Sequence, residues 1–287
     1  MVSDKWIEHD RVKQNMKSLP ISISKRTAID VALEIAGYAG SVLEERFTES
    51  KIVTVKGRGN IVTQVDIEVE TVVKTMLERE YPNIPVLGEE SGGDMPKEGW
   101  LWIVDPLDGT RNFASNVPHF STVLALTYSG EVQIGITHDP IRKETFHAVR
   151  GSGAFLNGQR ILVSDEDKLA DGILGLDLSY EDQGGANSLE IITRLWPGMQ
   201  TARIFGSAAL GLSYLAAGRL HVFFHHKLEP WDQASGLLIV EEAGGVVTDR
   251  MGNPAGLISD GIIAASPQAH SEFMKLTEGS PWRETNT

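Results

Sequence analysis

The chain has 287 residues, with 26 Lys and Arg against 39 Asp and Glu and a formal net charge of −13. That balance disfavours a surface for nucleic acid or anionic membrane, and the lack of cysteine excludes disulfides, thiolate metal sites and cysteine nucleophiles. The length permits a large buried core in one catalytic unit. Met1 to Pro20 carries no apolar leader and no apolar run reaches membrane-spanning length, so the expectation is a soluble protein of the cytoplasm.

Ala28, Val31, Ile35, Ala39, Val42 and Leu43 recur at helical spacing and predict an amphipathic helix from about Lys25 to Phe47, with Ser22 or Ser24 as its cap. Lys51 to Asn60 reads as a strand running into a glycine-rich basic loop. Its Lys51, Lys56 and Arg58 either help neutralise a phosphate or are solvated surface. Val65, Val69, Val72, Met76 and Leu77 predict a second helix, ended at Pro82. Asp66 falls in its first turn, where a carboxylate suits the helix dipole with or without a chemical role. Val86-Leu87 then forms a short strand that opens into Gly88-Glu89-Glu90-Ser91.

Trp100 to Val104 suits a buried strand, and Pro106 withholds a ladder donor, so Asp105 and Asp108 are expected on a turn. With only Pro106 and Leu107 between them, the two carboxylates can point into one small volume, where a divalent cation would relieve their repulsion. Gly109 to Phe113 can open a short helix whose free amides bind phosphate. Taken locally, these residues read first as an ordinary Asp-Gly turn with Thr110 as cap, and other parts of the chain must tip the balance. Two neighbouring strand ends would bring Glu89, Asp105 and Asp108 together.

Phe120 to Tyr128, Glu131 to Thr137, Glu144 to Val149 and Gly153 to Val163, with turns at Ser129-Gly130 and Asn157-Gly158, predict an antiparallel meander. Beyond Ser164, apolar runs at 173–176, 202–205 and 220–224 alternate with helices. One helix spans Ser207 to Ala217 and stops at Gly218; another follows Trp231-Asp232 and stops at Gly244-Gly245. Asp232 at that helix start reads either as a plain N-cap or as a ligand. The expected division is an extension over 1–22, an N-terminal α+β lobe over 23–163, a C-terminal α/β lobe over 164–275 and a polar tail over 276–287.

Gly-Glu-Glu-Ser at 88–91, Asp-Pro-Leu-Asp-Gly-Thr-Arg-Asn at 105–112, Pro-Trp-Asp-Gln-Ala at 230–234 and Glu-Ala-Gly-Gly at 242–245 resemble, in order and spacing, the inositol monophosphatase family. The resemblance runs from about Lys25 to Phe273. It implies a mixed α/β fold, the layered αβαβα sandwich shared with fructose-1,6-bisphosphatases, usually assembled as a homodimer. It also implies Mg²⁺-dependent hydrolysis of a small phosphate monoester without a covalent intermediate. Paired divalent ions, roughly 3.5–4 Å apart, activate water and stabilise the leaving oxygen in such reactions.

Carried onto this chain, Glu89, Asp105 and the Leu107 carbonyl resemble the ligands of a first Mg²⁺, and Asp105, Asp108 and Asp232 those of a second. A third, weaker ion would lean on Glu89, with Asp66 holding its water shell. Oxygen-only ligands are what Mg²⁺ prefers. Thr110 and Glu89 would orient and deprotonate the attacking water, while the Gly109 and Thr110 amides hold the phosphoryl oxygens. Arg111 reads equally as a phosphate clamp or as surface.

The segment Arg203-Ile204-Phe205-Gly206-Ser207-Ala208 matches one that lines the polyol side in the family, which makes Arg203, Gly206 and Ser207 candidate substrate contacts. Ser207 serves as well for a helix cap. His225 stands where inositol-hydrolysing members commonly carry Glu. An imidazole cannot accept hydrogen bonds as a carboxylate does, so this departure bears on substrate rather than metal chemistry and puts inositol phosphate in doubt. Fructose 1,6-bisphosphate, histidinol phosphate, NADP and adenosine bisphosphate are alternative substrates. A non-catalytic regulatory or scaffold protein, with Met1 to Pro20 as a docking arm, is the alternative of another class.

Overall fold

The computed structural model describes residues 18–57, 60–166 and 168–284. Met1 to Lys17 and Arg58 lie outside the described residues, and with them most of the docking arm and one of the three basic candidates. Helix α1 (Ala28–Arg46) starts one turn later than the expected caps allow, because Thr27 is the extended residue whose hydroxyl accepts from the Asp30 amide. Ser22 instead closes the turn before the helix, accepting from the Arg26 amide at 3.0 Å.

The strand expected within Lys51 to Asn60 is β1 (Val53–Val55), and it pairs antiparallel with a further strand beyond that segment, β2 (Ile61–Thr63). Strand β2 leads straight into α2 (Gln64–Glu80), which opens on a reciprocal capping box between Thr63 and Asp66.

Strands β3 (Val86–Gly88), β4 (Trp100–Asp108), β5 (Ser121–Tyr128), β6 (Glu131–Asp139), β7 (Glu144–Val149), β8 (Gly153–Leu156) and β9 (Gln159–Ile161) form one sheet in that order. Only β3 and β4 run parallel, with Gly88 opposite Val104, so their carboxyl ends lie side by side. From β4 onward the sheet is the expected antiparallel meander. Pro106 does not end β4. The register slips between Asp105 and Asp108, so Pro106 and Leu107 bulge out of the ladder and Asp108 pairs with Ser121. The two aspartates therefore flank a bulge rather than sit on a free turn.

A second, five-stranded sheet has the order β11-β10-β12-β14-β13, built from β10 (Ile173–Leu176), β11 (Thr201–Ile204), β12 (Val222–His225), β13 (Val246–Thr248) and β14 (Ile262–Ala265). Strands β10, β11 and β12 are parallel, so residues Asp177, Phe205 and His225 mark one end of the sheet.

Five layers result. Helices α1 and α2 bury Val31, Ile35, Leu43, Val69, Val73 and Leu77 against Trp102, Val104, Leu124 and Ile134 on one face of the large sheet. Each such side chain contributes roughly 1.5–3 kcal/mol on full burial. The other face, with Leu101, Ile103 and Phe146, packs on α5 (Ala208–Ala216) and α6 (Pro230–Glu242). Those two helices in turn cover Phe223, Ile262 and Ala264 of the small sheet. Helices α4 (Asp182–Leu195) and α7 (Pro267–Leu276) close its far side over Leu174, Leu176, Val222 and Phe224. This is the αβαβα sandwich expected from the motifs.

The stretch after Leu276, set apart by composition as a polar tail, is tied in as far as Glu284. Trp282 is fully buried against Phe224 and Phe273, and the buried Arg250 guanidinium donates to the Trp282 carbonyl at 2.9 Å. One large aromatic outweighs the polarity of its neighbours.

Candidate active site

A cavity of about 380 Å³ opens where the carboxyl ends of β3 and β4 face those of β10, β11 and β12 across the middle helices. Glu89, Asp105, Leu107, Asp108, Gly109, Thr110 and Arg111 line it from the large sheet. Asp177, Gly206, Ser207, His225 and Asp232 line it from the other side.

Asp105 is 1 % exposed, and its Oδ1 accepts from the Leu107 amide at 2.9 Å across the bulge. Burial pushes its carboxyl well up, and the neighbouring Glu89, Asp108 and Asp232 push it further. The Glu89 carboxyl is pushed up to about 7 by burial, against the opposing pull of Lys56. Burial also raises Asp232, with Asp108 and Glu89 adding to it.

Asp108 is raised by burial but accepts from every side. The Ala208 and Ala209 amides donate to it at 3.1 and 3.2 Å, Ser121 at 3.1 Å, and Ser207 through its hydroxyl. It thereby caps α5 from another element, whereas Ser207, the expected cap, makes no cap bond of its own.

Asp232 occupies the third position of α6, its Oδ2 accepting from the Glu229 amide at 2.8 Å, so the N-cap role falls to Glu229. Gly109 has φ +92, a left-handed conformation that lets the chain turn from β4 into α3 (Thr110–Ala114). A Cβ there would stand 3.0 Å from the Gly206 carbonyl. The Thr110 hydroxyl lies 3.0 Å from both Asp66 Oδ1 and the Leu107 carbonyl. Its single proton is thus committed, which leaves Oγ1 only acceptor capacity for any further partner. Asp66 is fully buried and gives its other oxygen to Thr63.

Four mutually repelling carboxylates in one cavity are stable only with protons or cations among them. Among the described residues, no three of these side chains close on one point as a finished cage. Their donors are nevertheless oxygens alone, the set a hard divalent ion takes while keeping part of its water shell. The site therefore fits Mg²⁺.

His225 is 8 % exposed, and its Nδ1 accepts from the Lys227 amide at 3.2 Å, which places the remaining ring proton on Nε2. Burial, with His226 beside it, pushes it down to about 4. At neutral pH it is an uncharged donor, the opposite polarity to a carboxylate.

Arg203 does not line the cavity; its guanidinium donates to Thr201 Oγ1 and the Ala202 carbonyl. Lys51 bonds to Asn116 and lies over the Phe113 ring. Lys56 is paired with Glu90 at 2.6 Å and reaches Glu89 at 3.5 Å.

Two residues that spacing did not flag organise this end of the molecule. Asp177 is buried, and its carboxylate accepts from the amides of Phe205, Gly206 and Ser207. Asn112 Nδ2 grips the same loop through its carbonyls, reaching Phe205 O at 2.8 Å and Gly206 O at 3.2 Å. Applied to β10, the strand-end rule that singled out Asp105 would also have singled out Asp177.

A five-layer α/β stack with a carboxylate-lined cleft at its strand ends defines a class of sandwich proteins. The chain belongs to the inositol monophosphatase family, whose profile matches residues 24–281. It is 40 % identical over 220 residues to a Thermotoga maritima protein named fructose-1,6-bisphosphatase/inositol-1-monophosphatase, covering 77 % of this chain and 83 % of that one. It is 35 % identical over 244 residues to the Nus factor SuhB of Escherichia coli strain K12, covering 84 % and 91 %. The crystal structure of the extragenic suppressor protein suhB from Bartonella henselae superposes with a TM-score of 0.83 at 33 % identity, covering 88 % of this chain and 98 % of that one.

Proposed function

We propose that this chain is a Mg²⁺-dependent phosphatase of small phosphate monoesters. The carrying observation is that Glu89, Asp105, Asp108 and Asp232, from three separated motifs, meet in one cavity beside the Gly109–Thr110 helix start. These oxygens and the Leu107 carbonyl would hold Mg²⁺, which when bound would supply Lewis acidity to the reaction. The chain's own groups do the rest. The Gly109 and Thr110 amides bind the phosphoryl oxygens. Thr110 Oγ1, its proton turned to Asp66 or Leu107, orients the attacking water, and Glu89 takes the proton.

Inositol monophosphate is the reference substrate, supported by the family and by the name of the Thermotoga relative. His225 favours a partner that accepts a hydrogen bond, so fructose 1,6-bisphosphate, histidinol phosphate, NADP and adenosine bisphosphates belong in the same panel. The reading includes a soluble, cytoplasmic homodimer; among the described residues no helix is long and apolar enough to cross a membrane.

The test is phosphate release from that panel with and without Mg²⁺, with Asp105→Asn as the inactive control. No release from any ester would sink the reading. The relatives named Nus factor support a second, regulatory reading. A cellular role that survives Asp105→Asn would favour it.

A further inference from the structure

Glu70 lies on α2 one turn beyond Asp66, is 3 % exposed, and takes no part in the chemistry above. Both of its oxygens are committed. Oε2 accepts from the Glu90 amide and Oε1 from the Ser91 amide, each at 2.8 Å. These are the two amides that directly follow Glu89. From the same helix Lys74 Nζ donates to Ser91 Oγ at 2.7 Å, a second hold on the loop.

The carboxylate also occupies the space where a side chain at Gly88 would stand, since a Cβ there would be 2.6 Å from Glu70 Cδ. Glu89 is thus fixed on its N-terminal side by a glycine fitted against Glu70 and on its C-terminal side by two charge-assisted hydrogen bonds. Helix positions four apart share one face, so Asp66 and Glu70 point the same way from α2. The first reaches the Thr110 hydroxyl and the second the Glu89 loop.

We propose that α2 sets the spacing between the two groups that handle the water, and that Glu70 is a positioning residue that fixes Glu89 relative to Thr110. It touches neither substrate nor reacting atoms. Its effect on turnover rests on the phosphatase reading; its effect on cation binding does not.

The test uses two variants of the full chain. Glu70→Gln keeps the shape but turns an NH₂ toward one amide, while Gly88→Ala displaces the same loop without altering any charge. The probe is Mn²⁺, followed by the electron paramagnetic resonance of the free ion. Loss of a group that supports a ligand lowers metal affinity about 10–100-fold. In Glu70→Gln the tightest Mn²⁺ site should weaken about tenfold, and amide exchange should rise locally at Glu90 and Ser91. kcat should fall about a hundredfold, as for a reacting group misplaced by an ångström, with KM little changed.

Wild-type Mn²⁺ affinity in folded Glu70→Gln would overturn the proposal, as would exchange that rises throughout the molecule instead of at this loop. If that variant does not fold, Gly88→Ala decides by the same two readouts. Mn²⁺ binding that weakens as expected in a protein releasing no phosphate would uphold the positioning role and remove the phosphatase reading.

Discussion

Asn112→Ala removes a side chain that joins the Gly109–Thr110 end of the cavity to the loop on its far side. The Asn112 amide has two N–H donors and three carbonyls within reach, those of His119 at 2.8 Å, Phe205 at 2.8 Å and Gly206 at 3.2 Å. A neutral hydrogen bond nets about 0.5–1.5 kcal/mol, so loss of both donors costs about 1–3 kcal/mol. The Gly206 carbonyl is the weakest and most exposed of the three, which puts the expected cost near the middle of that range. At about 2–4 °C per kcal/mol for a chain of this size, the melting temperature should fall by roughly 4–8 °C.

Scanning calorimetry of the metal-free protein measures this directly. Asn112→Asp is the informative companion, because it preserves size, lacks the donors and sets a negative charge beside three carbonyl oxygens. It should be at least as destabilising at neutral pH. In both variants the Phe205–Ser207 loop loses its hold from α3 and keeps those of Asp177 and of Asp108 on Ser207, so KM should rise more than kcat falls. A melting temperature within about 1 °C of wild type in both variants would refute the idea that Asn112 ties the two halves of the cavity together.

Asp105→Asn should abolish turnover yet raise the melting temperature of the chelator-treated protein, because it removes the charge that Glu89, Asp108 and Asp232 all repel; a lower melting temperature without metal would contradict that electrostatic account. Burial raises Asp177 to about 7 in the folded state, against about 3.9 unfolded. The folded protein therefore binds the extra proton between these values, and Asp177 should make stability fall as pH rises through that window, with no further change above it. Urea unfolding at stepped pH reads the slope, which should flatten in Asp177→Asn. His225→Glu should raise hydrolysis of inositol phosphate relative to the other esters, and an unchanged ratio would remove His225 from the specificity argument.

The helices and the meander were legible because their periodicity is a local property. Val31, Ile35 and Leu43 state the buried face of α1 with no knowledge of the sheet they meet. The acidic turn at 105–108 was legible as a candidate but not as a geometry. Whether Pro106 ends β4 or bulges out of it depends on Ser121 being opposite Asp108, a pairing that no window around Pro106 contains. Asp177, and the role of Asn112 within its motif, stayed hidden for a related reason: both hold one loop, Phe205 to Ser207, distant along the chain, and a polar residue with a remote partner looks locally like surface. Arg203 erred in the other direction. It sits in a segment whose neighbours Gly206 and Ser207 reach the cavity, but it falls on β11, where its side chain turns back to Thr201 and Ala202. Trp282 shows the weakness of composition alone, since one indole anchors a stretch that otherwise reads as solvent-loving.

Helix α6 lies between the two sheets, and Asp232 is carried on its first turn. The helix packs against β6 at Gly135, where a Cβ would stand 2.7 Å from the Ser235 carbonyl oxygen, and the Thr137 and Ser235 hydroxyls lock the contact at 2.8 Å. The width of the carboxylate-lined cleft is therefore gauged from behind, by the thickness of a sheet residue that has no side chain. A single methyl group on the rear wall would act as a shim under α6 and change the gap between Asp105 and Asp232 without touching the cleft.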